Sequence, residues 1–460
     1  MTPSQARASR TATSFGPEGK PFDIAVVGGG VLGVTLAFWL SQLYDASIAI
    51  VDLGPEVGSH TSTRNTGVIH RPFYLNPETK KVFAVSAERS YPMWRDLAKK
   101  LGLPWKEVGT LEVALRDEDV PTLEKYKTWG EKNGMPADEL ELLDGPAVTS
   151  LEPEVQSKGA IYSRTDVSVD FGQFTRAVFE MAQANGVKFL GSSEVRSIET
   201  REDGSNVVSF RNGHSKGELS CRLLINAAGG GSVDVAHMMG VGKEFTDLHF
   251  RGDYWLVDDP FASKISRNIY SVARHSQFPF LDPHFVVRAD GSRQIGPNAA
   301  LVSGPFVYRG VGRGIVGKFL ERPLVPKLNL FTSGTFLSLI WTEWRSSVSK
   351  KAMCDRVRQF IPNLDPALLN SKGLSGVRSS LIDSKGFVPE ALQLETQSSF
   401  HVLNFNSPGA TGAPVFSALA VDKMRRSGAL DGMRRKTQPV DALWVYDDLI
   451  GRLETEGRLP

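Results

Sequence analysis

The sequence predicts an α/β chain. One domain carries a parallel sheet with helices packed on it. A second, α+β domain is built on a mostly antiparallel sheet. Three observations lead there. A short apolar strand runs into a glycine turn and an apolar helix at residues 23–40. Comparable strand-to-glycine transitions return at 221–231 and at 404–419. Between them, residues 245–300 hold several short strand candidates and few helical ones, the pattern of a separate antiparallel sheet.

The first transition is the most specific. Asp23-Ile24-Ala25-Val26-Val27 is the strand, and Val34–Leu40 continues as helix. Gly28, Gly30 and Gly33, with Val31 and Leu32 between the last two, make G-x-G-x-x-G. Gly28 permits the tight turn, Gly30 lets backbone approach a pyrophosphate, and Gly33 lets helix and strand pack closely. The first amides of the helix then face phosphates. A second strand, Ser47–Val51, ends at Asp52, and 52 − 28 = 24. That is close to the roughly 20-residue offset of the acid that holds the adenosine ribose hydroxyls. The unit is a Rossmann-like crossover for an adenosine dinucleotide. Asp52 would repel a 2′-phosphate. Nicotinamide and flavin both remain open, since enzymes of both kinds use this turn. No second complete G-x-G-x-x-G follows.

Composition is that of an ordinary globular chain. Its 460 residues are 41% apolar and 23% charged, with a formal net charge of +2. That length calls for two domains or one elaborated fold, and that charge gives no reason to expect nucleic acid. Cys221 and Cys354 form no CxxC pair, so neither an iron–sulfur centre nor a disulfide scaffold is expected. No run approaches the ~20 apolar residues of a membrane span. Residues 1–20 lack an apolar centre and read as a disordered tail. The cell interior is the expected location.

The chain is expected to enter each domain more than once. Residues 21–100, 166–240 and 356–435 are assigned to the nucleotide domain, 101–165 and 241–355 to the second, and 436–460 to a C-terminal extension. Helical patterns cover about 78–100 and 118–133, and residues 109–115 read as a strand. Asp170 is placed to cap a helix bearing Phe174, Val178 and Met181 on one face. A hairpin, 194–200 with 206–211, turns on Asp203-Gly204-Ser205.

Several separated segments carry a family likeness from about residue 22 to about 425. They are Arg64-Asn65-Thr66-Gly67-Val68-Ile69-His70, Phe250-Arg251-Gly252-Asp253-Tyr254, Phe278-Pro279-Phe280-Leu281 leading to His284-Phe285, Gly296-Pro297-Asn298-Ala299, Gly376-Val377-Arg378, and Asn406-Ser407-Pro408-Gly409-Ala410-Thr411. In these the chain resembles the L-2-hydroxyglutarate dehydrogenase/oxidase group of the amino-acid-oxidase-like FAD superfamily. The resemblance implies a glutathione-reductase-like sheet, FAD, a 2-hydroxy acid substrate, a 2-oxo acid product, and an acceptor other than NAD. The family segment after its histidine usually reads small-Gly-aliphatic-Tyr-Tyr-Lys-Pro. Here it is Arg71-Pro72-Phe73-Tyr74-Leu75-Asn76-Pro77, which moves a positive charge from position 76 to Arg71 and bears on which acid fits. L-Malate is the competing substrate. Amino-acid or amine oxidation and a non-catalytic flavin-binding sensor or scaffold are the other readings.

The resemblance also implies roles. Arg378 clamps the substrate carboxylate, since a guanidinium offers two parallel hydrogen bonds and Lys cannot. His284 and His70 are the acid–base candidates, because oxidising an alcohol carbon requires loss of the hydroxyl proton. Arg251, Tyr254 and Asn298 face the substrate from the second domain, Arg251 toward a distal carboxylate. Thr63, Arg64, Asn65, Thr66, Gly67, Val195, Ala228, Gly229, Pro408, Gly409, Ala410 and Thr411 join the first glycine motif around FAD. The last four open a helix expected to start near Pro414 or Val415, whose N-terminus favours negative charge on the reduced ring. His237, His249, His275 and His401 have no metal-ligand spacing, so no catalytic metal is expected.

The acceptor is open among quinone, dioxygen and an electron-transfer protein. Residues 331–345 are aromatic and apolar, with Phe336, Leu339, Ile340 and Trp344 on one helical face and basic residues around them. Such a segment rests on an anionic membrane surface or packs against the second domain.

Overall fold

The computed structural model describes residues 12–14, 20–274, 278, 282–437 and 443–458. Strand Phe22–Val27 lies inside a nine-stranded sheet. It pairs in parallel with Ile48–Val51 on one side and with the C-terminal half of Ser215–Asn226 on the other. Lys188–Leu190 extends the sheet beyond Ile48–Val51, and Ser399–Leu403 pairs in parallel with residues 224–226. Parallel strands covered on both faces are apolar throughout, as Ile48-Ala49-Ile50-Val51 is. The chain leaves the Phe22–Val27 strand toward one side and returns on the other. The crevice at the C-terminal ends of these strands is therefore a topological switch point. The hairpin Glu194–Thr200 with Asn206–Asn212 forms as expected and pairs onto Ser215–Asn226.

Every residue of helix Val31–Leu43 is buried. A helix apolar on all sides belongs inside a core. This one packs against helices Phe171–Ala184 and Gly409–Arg426, and Lys81–Leu101 packs on the latter. Asp170 caps Phe171–Ala184, accepting from Gly172 N at 2.8 Å and Gln173 N at 3.3 Å. The helix ending at Arg426 begins at Gly409 rather than near Pro414. Proline favours a first helical turn, which is why the sequence suggests the later start. Here Pro414 lies inside the helix, and Val415 N donates instead to Ser90 Oγ at 3.1 Å.

The second unit holds a seven-stranded sheet and an antiparallel four-stranded sheet. In the latter, Thr246–Gly252 lies between Ala300–Val302 and Gly376–Asp383, with Phe250 opposite Arg378. Residues 353–369 pack into the core of the seven-stranded sheet. The chain thus rejoins the first sheet only at Leu392–Glu395, later than the boundary expected at 356. Ala12–Ser14 pairs in parallel with Gly217–Leu219, so part of the expected tail is a strand. Residues 1–11, 15–19, Pro279–Leu281 and His275 lie outside the described residues.

The C-terminal extension contributes to the first core. Trp444 meets Phe38 edge-on at 5.3 Å and Trp94 at 5.7 Å. Trp94 is fully buried, and its indole donates to Thr411 O at 2.8 Å. A Trp94→Ala chain should lose about 3–5 kcal/mol of unfolding free energy, read as a lower midpoint in urea.

Candidate active site

One cavity of about 920 Å³ runs between the two units, at the upper end of the range for small-molecule sites. Its first wall is the glycine turn. Gly28 has φ +110°, and a Cβ there would lie 2.3 Å from Ala227 O, so only glycine fits. A Cβ on Gly33 would lie 1.9 Å from Gly28 O. Gly33 therefore sits behind the wall and sets the helix against the strand. Gly28, Gly30, Val31 and Leu32 line the cavity itself. Ser62 Oγ accepts from Val31 N at 2.9 Å, a hydroxyl at the helix start that sequence reading missed.

Asp52 also lines the cavity. Its two oxygens accept from Gly29 N and Gly54 N, each at 2.6 Å. Burial pushes its carboxyl above the usual range, and those two amides oppose the shift. Each oxygen keeps a lone pair for a ribose hydroxyl. Arg64, Asn65, Thr66, Val195, Ala228, Gly229, Pro408, Gly409, Ala410 and Thr411 complete this part. Two expected contacts are absent from the wall. Thr63 turns away, its hydroxyl donating to His60 O at 3.0 Å. Gly67 shapes the loop from behind, with φ +70° and Val169 O against its Cα.

The other end holds Arg378, Tyr254, Asn298, His70 and His284. Arg378 is carried on Gly376–Asp383. Burial lowers its pKa, with Tyr254 and Tyr74 opposing, but a guanidinium stays charged in proteins. Asn298 is committed to structure: its Oδ1 accepts from Asp253 N at 2.7 Å and its Nδ2 donates to Glu343 O at 3.0 Å. Arg251 does not reach the cavity. Successive strand residues face opposite ways, so Phe250 lines the cavity and Arg251 points behind it. There its Nε donates to Asp253 Oδ1 at 2.9 Å, with Ser347 Oγ and Gly310 O as further partners. Arg71 is likewise outside the wall, paired with Glu88 at 3.0 Å and Glu139 at 2.7 Å. It cannot select the acid directly.

The two histidines differ in their surroundings. His70 Nδ1 lies 3.2 Å from Asp166 Oδ2. Asp166 is fully buried and also accepts from Ser163 Oγ at 2.6 Å, Thr110 Oγ1 at 2.9 Å and Arg71 N at 3.2 Å. So many donors mark an ionised carboxylate, which holds the proton of His70 on Nδ1 and leaves Nε2 with its lone pair. Asp166 carries no local sequence signal; only the fold brings it to His70. His284 stacks on Tyr270 at 3.9 Å between ring centroids. Its Nδ1 lies 3.3 Å from Asp282 O, and its Nε2 is buried with no partner among the described residues. Burial pushes its pKa down to about 3, opposed by the Asp282 carbonyl. It is therefore neutral over the working range. Tyr270 OH is also buried without a partner.

Glu112 lies on the strand paired with Tyr270. Burial, with Asp166 adding to it, pushes its carboxyl up to about 8, far above the ~4.3 of an unfolded chain. A raised folded pKa means the native state keeps a proton that the unfolded state loses. The contribution is present at low pH and is lost as pH rises through about 4.3 to 8. A Glu112→Gln protein should lose less stability than the parent between about pH 5 and pH 8, measured as urea midpoints.

The fit to FAD rests on the glycine cradle, the acid at the ribose position and a cavity long enough to pass from one unit to the other. Comparison with known proteins agrees. The FAD dependent oxidoreductase family model matches residues 23–423. The chain is 28% identical over 423 residues to "L-2-hydroxyglutarate dehydrogenase, mitochondrial" of Caenorhabditis elegans, covering 89% of this chain and 93% of that one. It is 27% identical over 425 residues to the Homo sapiens protein of the same name, covering 88% and 89%. Among solved structures, the FAD-bound L-alpha-glycerophosphate oxidase of Mycoplasma pneumoniae shares the fold, with a TM-score of 0.67 at 20% identity, over 91% of this chain and 97% of that one. The chain belongs to the FAD dependent oxidoreductase family: it is an enzyme that binds FAD and oxidises a small organic acid or amino acid by passing hydride to the flavin.

Proposed function

We propose that the protein oxidises an L-2-hydroxy dicarboxylic acid, L-2-hydroxyglutarate first, to its 2-oxo acid. The observation carrying this reading is the presence of Arg378 and a carboxylate-backed His70 in the wall of one cavity. Bound FAD supplies the hydride acceptor. Arg378 orients the 1-carboxylate by two parallel hydrogen bonds. His70 takes the hydroxyl proton on Nε2, and Asp166 stabilises the imidazolium that results. His284 has no such carboxylate. Its charged form is disfavoured by burial and by the nearby His70 and Arg378. It serves as a neutral hydrogen-bond partner for the substrate, together with Tyr270 OH.

Relatives at 27–28% identity bear the 2-hydroxyglutarate name, which favours the five-carbon acid over L-malate.

For the acceptor we favour a quinone reached at a membrane surface. No helix among the described residues is long and apolar enough to cross a membrane. Helix Gly334–Val348 buries Phe336 and Leu339 and turns Trp341 (59% exposed), Trp344 (44%) and Val348 (63%) outward. Trp344 is thus exposed while Phe336 is buried, unlike the shared face expected from sequence. Val316 and Val325 are also exposed, at 67% and 61%, as are Arg309, Arg313, Arg322 and Arg345. Exposed indoles beside arginines suit an anionic bilayer.

Anaerobic flavin bleaching should be fastest with L-2-hydroxyglutarate. Bleaching by L-malate alone would favour the shorter acid, and bleaching by no hydroxy acid would end this reading. Arg378→Lys should retain FAD and lose at least about a hundredfold in bleaching rate, as expected where bidentate binding is lost. Replacing Trp341 and Trp344 by Ser should abolish cosedimentation with phosphatidylserine vesicles while soluble-dye reduction persists.

A further inference from the structure

Segment 303–314 joins strand Ala300–Val302 of the second unit to helix Ile315–Leu320. It crosses the cavity to the nucleotide unit. Pro305 and Phe306 line the cavity, and a Cβ built on Gly230 would come within 2.4 Å of Pro305 Cβ. Phe306 lies 4.5 Å from the His60 ring, and Arg64 Cζ sits 4.1 Å over the Tyr308 ring. Tyr308 OH is 3.0 Å from His60 Nδ1. The other ring nitrogen, His60 Nε2, is buried and has no partner among the described residues.

His60 lines the cavity with Asp52, Arg64 and the Gly28–Leu32 turn. It feels the charges of both Asp52 and Arg64. Asp52 marks the ribose end. The turn and Ser62, which meets Val31 N, mark the helix start where a diphosphate lies. Burial keeps the ring neutral, so one nitrogen carries a proton and the other does not. Tyr308 keeps its phenolic proton, with its pKa pushed up to about 12 by burial. Among the described residues its one acceptor is His60 Nδ1. With Tyr308 as the donor, Nε2 carries the ring proton and is itself a donor.

We propose that His60 Nε2–H donates to the diphosphate of bound FAD, and that Tyr308, reaching over from the other unit, sets the required tautomer and latches the cavity over the cofactor. His60 is a cofactor contact; Tyr308 is a positioning residue. Closing the two units and gripping the cofactor become one event. This contact needs only bound FAD and is independent of the substrate.

The test is the rate of FAD release from the holoenzyme, followed as recovery of flavin fluorescence on dilution. His60→Ala should release FAD about tenfold faster, the loss of one charge-assisted hydrogen bond. Tyr308→Phe should do nearly the same. The double variant should be no faster than His60→Ala by more than about twofold, because both act through one bond. His60→Gln, whose amide nitrogen replaces Nε2, should stay within about threefold of the parent and should not respond to Tyr308→Phe. Substrate KM should be unchanged throughout. Release at the parent rate from His60→Ala overturns the diphosphate contact. Effects of His60→Ala and Tyr308→Phe that multiply overturn the tautomer latch. His60→Gln releasing as fast as His60→Ala would show that ring packing, and not the Nε2 donor, holds the cofactor.

Discussion

The contact between Gly33 and the carbonyl of Gly28 governs the rest of the molecule. A Cβ at position 33 would overlap that oxygen, so its absence is what lets helix Val31–Leu43 start directly on the strand. The helix then presents its first amides to the cavity. It also carries the second cofactor helix on its flank. Thr35 Oγ1 meets Ser417 Oγ at 2.6 Å, and Trp39 donates to Pro414 O at 2.8 Å. Through these bonds the turn at 28–33 fixes where Pro408–Thr411 can stand. Trp94 closes the loop by holding Thr411 O. The cofactor cradle is thus one packed unit, not two independent loops.

Charge at the substrate end is arranged by pairing what must stay fixed and leaving unpaired what must meet a ligand. Arg251 and Arg71 are bound to carboxylates behind the wall. A buried ion pair contributes little net stability, but it fixes strand Thr246–Gly252 and the loop after His70 in position. His284 Nε2 and Tyr270 OH are buried without partners among the described residues, an arrangement that costs free energy in the absence of a polar ligand. Asp166 stands behind one histidine, and burial disfavours the charged form of the other. Two residues of the same type in one cavity therefore have different surroundings.

Much of the fold was legible because its signals are local. The strand, glycine turn and helix at 23–40 follow from periodicity and turn chemistry, as do the hairpin at 194–212 and the cap at Asp170. The helix at Gly409 was misjudged because an internal proline mimics a helix start. Residues 353–369 pack on the seven-stranded sheet rather than rejoining the first, a choice that no turn or periodicity signal marks. Arg251 was misplaced because a motif states which residues occur and not which face of the strand they occupy.

The amino-acid order by itself determined that a nucleotide turn exists, which acid follows it, and that an arginine, two histidines and a proline–glycine loop belong with it. Those features are written in neighbouring residues, where backbone sterics act. Only the tertiary structure decided which histidine has a carboxylate behind it, which arginines are spent on ion pairs, and which rings from one unit reach across to the other. These choices depend on residues 96 positions apart for His70 and Asp166 and 248 apart for His60 and Tyr308. No local rule reaches that far, because the forces that set them act only after the sheets have packed.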